Sequence, residues 1–105
     1  MKIYELKERP PQLLEHLLNI WEDSVRATHL FLSDEEIKQI KEYVPQAMSG
    51  VEHLIVAENE DDKTIAFMGT ENSRLEMLFL LSTERGKGLG KQLIQYDNLS
   101  ESPAQ

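Results

Sequence analysis

The stretch from Leu78 to Ile94 sets the tightest limit on what this chain can fold into. Leu78-Phe79-Leu80-Leu81 reads as an apolar strand, and Ser82-Thr83-Glu84 as a polar turn. Glycines then stand at alternate positions, Gly86, Gly88 and Gly90. Leu89, Leu93 and Tyr96 follow at helical spacing and predict a helix from about Gly88. A strand that reaches a helix through such a turn leaves several backbone N–H groups unpaired at the positive end of the helix dipole. That arrangement binds phosphate. Glycine lets the backbone approach a ligand with no Cβ in between. Arg85, Lys87 and Lys91 add positive charge at this spot in a chain whose formal net charge is −8.

The spacing excludes two common phosphate loops. Counted back from Gly90-Lys91, a Walker loop needs its first glycine where Arg85 stands, and Gln92 replaces its Ser or Thr. A dinucleotide fingerprint begun at Gly86 needs its third glycine where Lys91 stands. What fits is Arg-x-x-Gly-x-Gly, as Arg85, Gly88 and Gly90, directly after a hydrophobic strand. This resembles the acyl-CoA pyrophosphate motif of the GNAT family of N-acetyltransferases. Upstream, the segment from Trp21 to Leu32 is similar to the end of the first helix and the following loop in a bacterial branch of that family. Glu76-Met77-Leu78-Phe79 is similar to its fourth strand. The resemblance runs over the chain to about Tyr96.

Composition supports one soluble globular domain. The chain has 105 residues, 40% hydrophobic and 29% charged. It has no cysteine, which excludes disulfides, thiolate zinc sites and a Cys nucleophile. The strong acidity argues against nucleic acid, which needs a basic footprint, and weakly suits a cationic amine partner. Met1-Lys2-Ile3-Tyr4-Glu5 lacks a signal-peptide core, and no apolar run is long enough to span a bilayer. The expectation is a cytoplasmic protein with no membrane contact.

Ile3 to Leu6 predicts a short first strand. Pro10-Pro11 starts a helix whose apolar face is Leu14, Leu17, Leu18, Trp21 and Val25. Ser33 and Glu36 predict a capping box for a second helix, with Leu32 and Ile37 as a hydrophobic staple. Ile37, Ile40 and Val44 form its stripe, Pro45 is expected to kink or end it, and Gly50 closes the segment. His53 to Glu58 and Thr64 to Gly69 predict a hairpin. Arg74 to Leu81 is the next strand. Simple alternation sends Leu75, Met77, Phe79 and Leu81 to one face, and Glu76, Leu78 and Leu80 to the other. The expected class is α/β, a mixed and mostly antiparallel sheet flanked by helices, in the order β-α-α-β-β-β-α. This order matches the N-terminal part of the acyl-CoA N-acyltransferase fold.

The resemblance carries further expectations. It implies an acetyl-CoA-dependent transferase acting on a primary amine of a small molecule or peptide. The N–H groups near Leu80 and Leu81 would face the acetyl carbonyl. Those of Gly86, Lys87, Gly88, Leu89, Gly90 and Lys91, with Arg85, would cradle the pyrophosphate. The family fold continues beyond this helix with a splayed strand, a tyrosine-bearing helix and a final hairpin. The expectation is therefore an incomplete domain over 1–96, truncated after its pyrophosphate helix, with a polar tail over 97–105. The Arg74–Leu81 strand would then keep an open edge, which favours a homodimer or an exchange of elements. An alternative is a catalytically inactive CoA-binding or protein-interaction module, and a third reading is a vestigial turn with no ligand.

Two side chains are candidates for the chemistry. Glu76 on the catalytic strand is a candidate base, acting directly or through water; the alternative is a strand carboxylate that faces solvent or pairs with Arg74 or a helix cation. His29, in the loop after the first helix, could line the acceptor pocket or simply pack that loop. Ser24, Arg26 and Thr28 could shape the same loop, with Arg26 also suited to capping the helix end. His16 and His53 lack metal spacing, so no metal is expected.

Overall fold

The computed structural model describes residues 1–28 and 31–101, with side chains described as far as Tyr96. Four strands form one antiparallel sheet in chain order: β1 (Lys2–Glu5), β2 (His53–Glu58), β3 (Thr64–Glu71) and β4 (Arg74–Leu80). Helix α1 (Pro11–Thr28), α2 (Asp34–Lys41) and α3 (Val44–Gly50) lie between β1 and β2. A 3-10 turn (Ser82–Glu84) leads from β4 towards α4 (Leu89–Glu101).

Strand alternation makes both faces of this sheet apolar, so both need cover. On one face, Leu54, Val56 and Phe67 join Leu14, Leu17, Ile20, Trp21 and Val25 of α1, with Ile37 and Met48 from α2 and α3. On the other, Ile55, Ala57, Ala66 and Met68 meet Leu89 and Leu93 of α4. Burying each of these large side chains contributes roughly 1.5–3 kcal/mol before entropy is counted. Ile20 belongs to the α1 stripe, although the sequence pattern drew attention to the partly buried Leu18 instead.

The local signals set most helix ends. Pro11 opens α1, where its missing N–H costs nothing. The Ser33 hydroxyl accepts the Glu36 N–H at 3.1 Å, and the Ser33 N–H donates to the Glu36 carboxylate at 3.0 Å, completing the capping box. Leu32 and Ile37 enter the same apolar cluster. Pro45 behaves differently from expectation. The second helix stops at Lys41, before the proline, and Pro45 then sits in the first turn of a separate helix, α3. A proline in a first turn starts a helix as readily as an interior one ends it. Ile40, in the last turn of α2, is 42% exposed. The Arg9 guanidinium donates to the carbonyls of Met48, Ser49 and Val51 at 2.8, 3.0 and 2.6 Å, satisfying the end of α3.

The hairpins follow turn chemistry. The Asn59 side chain accepts the N–H groups of Asp61 and Lys63 at 2.9 and 3.0 Å, and Asp62 takes φ 61°. Asn72 and Ser73, with φ 53° and 63°, make the tight turn between β3 and β4. At the edge of the sheet, the Tyr4 hydroxyl donates to the Glu58 carboxylate at 2.6 Å, and this bond pushes the phenol up to about 12.

One irregularity changes which way β4 faces. Gly69 lies opposite Met77, but Thr70 lies opposite Leu75. Glu76 is the extra residue, a β-bulge. Simple alternation had put Glu76 and Met77 on opposite faces. The bulge instead lets both line one cavity, and it leaves Leu75 half exposed. Gly69 permits this, because a Cβ there would lie 2.7 Å from Met77 Cγ. Helix α4 continues to Glu101, past Tyr96, where the apolar periodicity fades.

Candidate cosubstrate cleft

The strand-to-helix turn is where the sequence placed it. Gly86 and Gly88 both take φ +79°, a left-handed conformation strained for any residue with a Cβ. Gly90 lies inside α4, and a Cβ there would make only ordinary contact with Leu78 at 3.5 Å. So two of the three alternate glycines are demanded by backbone geometry. The first helical bond of α4 runs from the Gln92 N–H to the Gly88 carbonyl at 3.1 Å. The N–H groups of Leu89, Gly90 and Lys91 therefore open the helix without intrahelical partners. Among the described residues, those of Gly86, Lys87 and Gly88 find no backbone acceptor either. Convergent free donors at a positive helix end form an anion cradle.

The charges around it are unequal. Lys87 pairs with Glu84 at 3.6 Å, so part of its charge is offset within the turn. Arg85 and Lys91 carry no ion pair among the described residues.

A cleft of about 300 Å³ runs beside the turn, lined by Ser24, Thr28, Leu78, Phe79, Leu80, Arg85 and Gly86. It joins the end of α1, the edge strand β4 and the glycine turn. Among the described residues no strand pairs with the outer edge of β4. The Leu81 N–H donates to the Ile65 carbonyl at 3.0 Å and so points into the sheet. Alternation along an antiparallel ladder then turns the N–H groups of Leu78 and Leu80 outward. Of the two candidates for polarising a carbonyl, Leu80 keeps its donor free and Leu81 has spent its own on β3. Leu78 joins Leu80 as the second outward donor; once the Leu81 bond is known, the strand period alone identifies it.

Asp23 holds the cleft together. Its carboxylate accepts the Ser82 N–H at 2.7 Å and lies 3.4 Å from the Ser82 hydroxyl. No local pattern marks this residue, since its partner is 59 positions away. Among the described residues Arg26 makes no cap to the end of α1. It pairs with Glu22 and with Asp34 of α2, each at 2.7 Å, while Lys41 also reaches Glu22. These pairs hold Glu22 and Asp34 below the usual carboxylate range, through hydrogen bonds from Lys41 and Arg26 to Glu22 and from Arg26 to Asp34. Thr28 donates to the Ser24 carbonyl at 2.8 Å. His29 lies outside the described residues. His16 and His53 are engaged in hydrogen bonds, to the Thr64 carbonyl at 3.3 Å and the Glu5 carboxylate at 2.9 Å.

Glu76 lines a second, more open cavity of about 570 Å³, with Tyr43, Gln46, Val51, Glu71 and Met77 around it. It makes no ion pair with Arg74 among the described residues. A third cavity, about 260 Å³, is lined by Trp21, Val25, Leu32, Ile40 and Phe79. No helix among the described residues is long and apolar enough to cross a membrane.

Comparison with known proteins gives a consistent picture. The acetyltransferase (GNAT) domain matches residues 23–100. The peptidyl-lysine N-acetyltransferase YjaB of Salmonella typhimurium is 34% identical over 82 residues, covering 78% of this chain and 56% of that protein. The solution structure of apo YjaB from Escherichia coli superposes with a TM-score of 0.78 at 32% identity, covering 95% of this chain and 67% of that one. An aminoglycoside 6'-N-acetyltransferase crystallised with coenzyme A gives a TM-score of 0.66 at 18% identity, over 98% of this chain and 56% of the other, and shares the fold. The chain spans about half the length of the curated relatives it matches.

Proposed function

Since the chain belongs to the acetyltransferase (GNAT) domain family, we propose that it takes acetyl-CoA as cosubstrate and transfers the acetyl group to a primary amine of a small molecule or peptide. One observation carries this reading. The left-handed glycines Gly86 and Gly88 open α4 beside an edge of β4 that no described strand pairs, over a cleft of about 300 Å³. A pyrophosphate on the turn takes the free N–H groups and the charge of Arg85 and Lys91. The rest of the ligand then lies along the β4 edge. The N–H groups of Leu78 and Leu80 are available to its carbonyls, and a thioester carbonyl polarised in this way is open to attack.

The reaction is acyl transfer. The amine nitrogen bonds to the carbonyl carbon, the carbon–sulfur bond breaks, and CoA leaves as thiolate. The amine proton goes to Glu76, directly or through water. The cavity that Glu76 shares with Glu71 and Tyr43 favours an ammonium-bearing acceptor approaching from that side. The substrate in the printed name of YjaB, a peptidyl lysine, is such an amine. A cytoplasmic setting, no metal, no nucleic acid, and a homodimer or element exchange through the β4 edge belong to the same reading.

The open β4 edge also supports the other reading, a CoA-binding module without turnover. Calorimetry with acetyl-CoA separates the cases when followed by a turnover assay on an amine panel. Micromolar binding, about −8 kcal/mol, that is lost in Gly88→Val supports the cleft. Binding with no product from any amine leaves the module reading, and no binding to the folded chain sinks both.

A further inference from the structure

The cavity behind Phe79 is more space than the single methyl group of an acetyl needs. Among the described residues its lining is Trp21, Val25, Leu32, Ile40 and Phe79, all apolar. Trp21 and Val25 are each only 4% exposed, so these walls are set by the core. Phe79 is held against Phe67, with ring centroids 5.6 Å apart. Phe79 also lines the cosubstrate cleft, which makes it the wall that the two spaces share. At about 260 Å³ the cavity is smaller than the ~300 Å³ usual for a whole small-molecule site, and suits part of a ligand anchored elsewhere.

We infer that this cavity receives the acyl chain of thioesters longer than acetyl-CoA, so that the cosubstrate class extends to short and medium-chain acyl-CoA. The inference rests on the reading of the neighbouring cleft as the CoA site. Chemistry selects the occupant. An ammonium group would lose its hydration in this cavity with no side chain among the described lining residues to accept a hydrogen bond, and the Glu71–Glu76 cavity offers it a better place. A hydrocarbon chain gains by leaving water. From a thioester held on the β4 edge, such a chain has only the shared Phe79 wall to pass. The bonds made and broken are those of acetyl transfer, with a longer acyl group moved.

The test is a calorimetric series with CoA, acetyl-CoA, butyryl-CoA and hexanoyl-CoA. The proteins are the wild type, Ile40→Trp and Val25→Ala. Ile40 is 42% exposed, so a larger ring at the cavity mouth is tolerated by the fold. Affinity in the wild type is expected to rise about twofold to fourfold per methylene beyond acetyl until the cavity is full. Ile40→Trp is expected to keep CoA affinity and lose the chain-length gain. Val25→Ala, which widens the cavity, is expected to move the gain to longer chains. A dissociation constant that stays flat from acetyl to hexanoyl overturns the inference and leaves the CoA site standing. So does a gain that survives Ile40→Trp. Failure of CoA itself to bind overturns the inference together with the reading of the cleft.

Discussion

The Asp23 carboxylate accepts the Ser82 N–H at 2.7 Å, fastening the last turns of α1 to the point where β4 becomes the glycine turn. Residues 59 positions apart thereby set the width of the cosubstrate cleft, because Ser24 and Thr28 follow Asp23 into its wall. Asp23→Ala leaves a half-buried N–H without its charged acceptor. The expected loss is about 1.5–3 kcal/mol of stability, with weaker acetyl-CoA binding. Asp23→Asn keeps an oxygen in place and should cost about 1 kcal/mol or less. Urea midpoints at unchanged slope give the stabilities. Equal losses in the two variants would count against the bond.

Glycine replacements should separate strain from space. Gly88→Val forces a β-branched residue to φ +79° and is expected to cost about 1–2 kcal/mol, with loss of acetyl-CoA binding. Gly50, at the end of α3, has nothing within 4 Å of a built Cβ and no positive φ. Gly50→Ala should therefore be neutral or raise stability by up to about 1 kcal/mol. Thermal melts of the two variants check both directions.

Acid should loosen the junction of α1 and α2. Lys41 and Arg26 hold the Glu22 carboxyl below its ordinary value of 4.5, Arg26 holds that of Asp34 below 3.8, and the Ser33 N–H lowers that of Glu36. Groups depressed in the folded state contribute stability that is fully present above their unfolded values and disappears as pH falls through the folded ones. Stability should be level above about pH 5.5 on this account and fall below pH 4.5. The double variant Glu22→Gln, Asp34→Asn should be less stable at neutral pH and show a shallower acid slope. Denaturation midpoints from pH 3 to 7 measure it, and parallel curves would remove these pairs as the cause.

Glu76→Gln keeps the size of the side chain and removes its basicity. If Glu76 takes the amine proton, turnover falls by about 10²–10⁴-fold while the acetyl-CoA dissociation constant is unchanged. A normal rate in Glu76→Gln would return Glu76 to the role of a solvated residue at a bulge.

The outer edge of β4, which no described strand pairs, carries Leu75 at half exposure. Such an edge pairs with another chain unless it is charged or covered. Sedimentation at rising concentration should show self-association, and Leu75→Lys should shift it to monomer. A wild-type monomer at high concentration would exclude pairing through this edge.

Local chemistry was enough to read the capping box at Ser33, the strands, the hairpin of β2 and β3 and the glycine turn before α4. Each depends on residues a few positions apart, whose hydrogen bonds and allowed φ are set by their own side chains. The GNAT family was legible for the same reason, because its phosphate motif is one contiguous turn. Tertiary structure decided the rest. Strand register across β3 and β4 created the bulge at Glu76 and turned it towards the Met77 cavity, overriding simple alternation. The Ile65 carbonyl took the Leu81 N–H and left Leu78 and Leu80 as the outward donors. Asp23 found Ser82, and Phe79 came to stand between two cavities, only when α1 docked on the sheet. Such relationships join positions far apart in the chain, and a pattern with a period of two or of 3.6 residues carries no information about them.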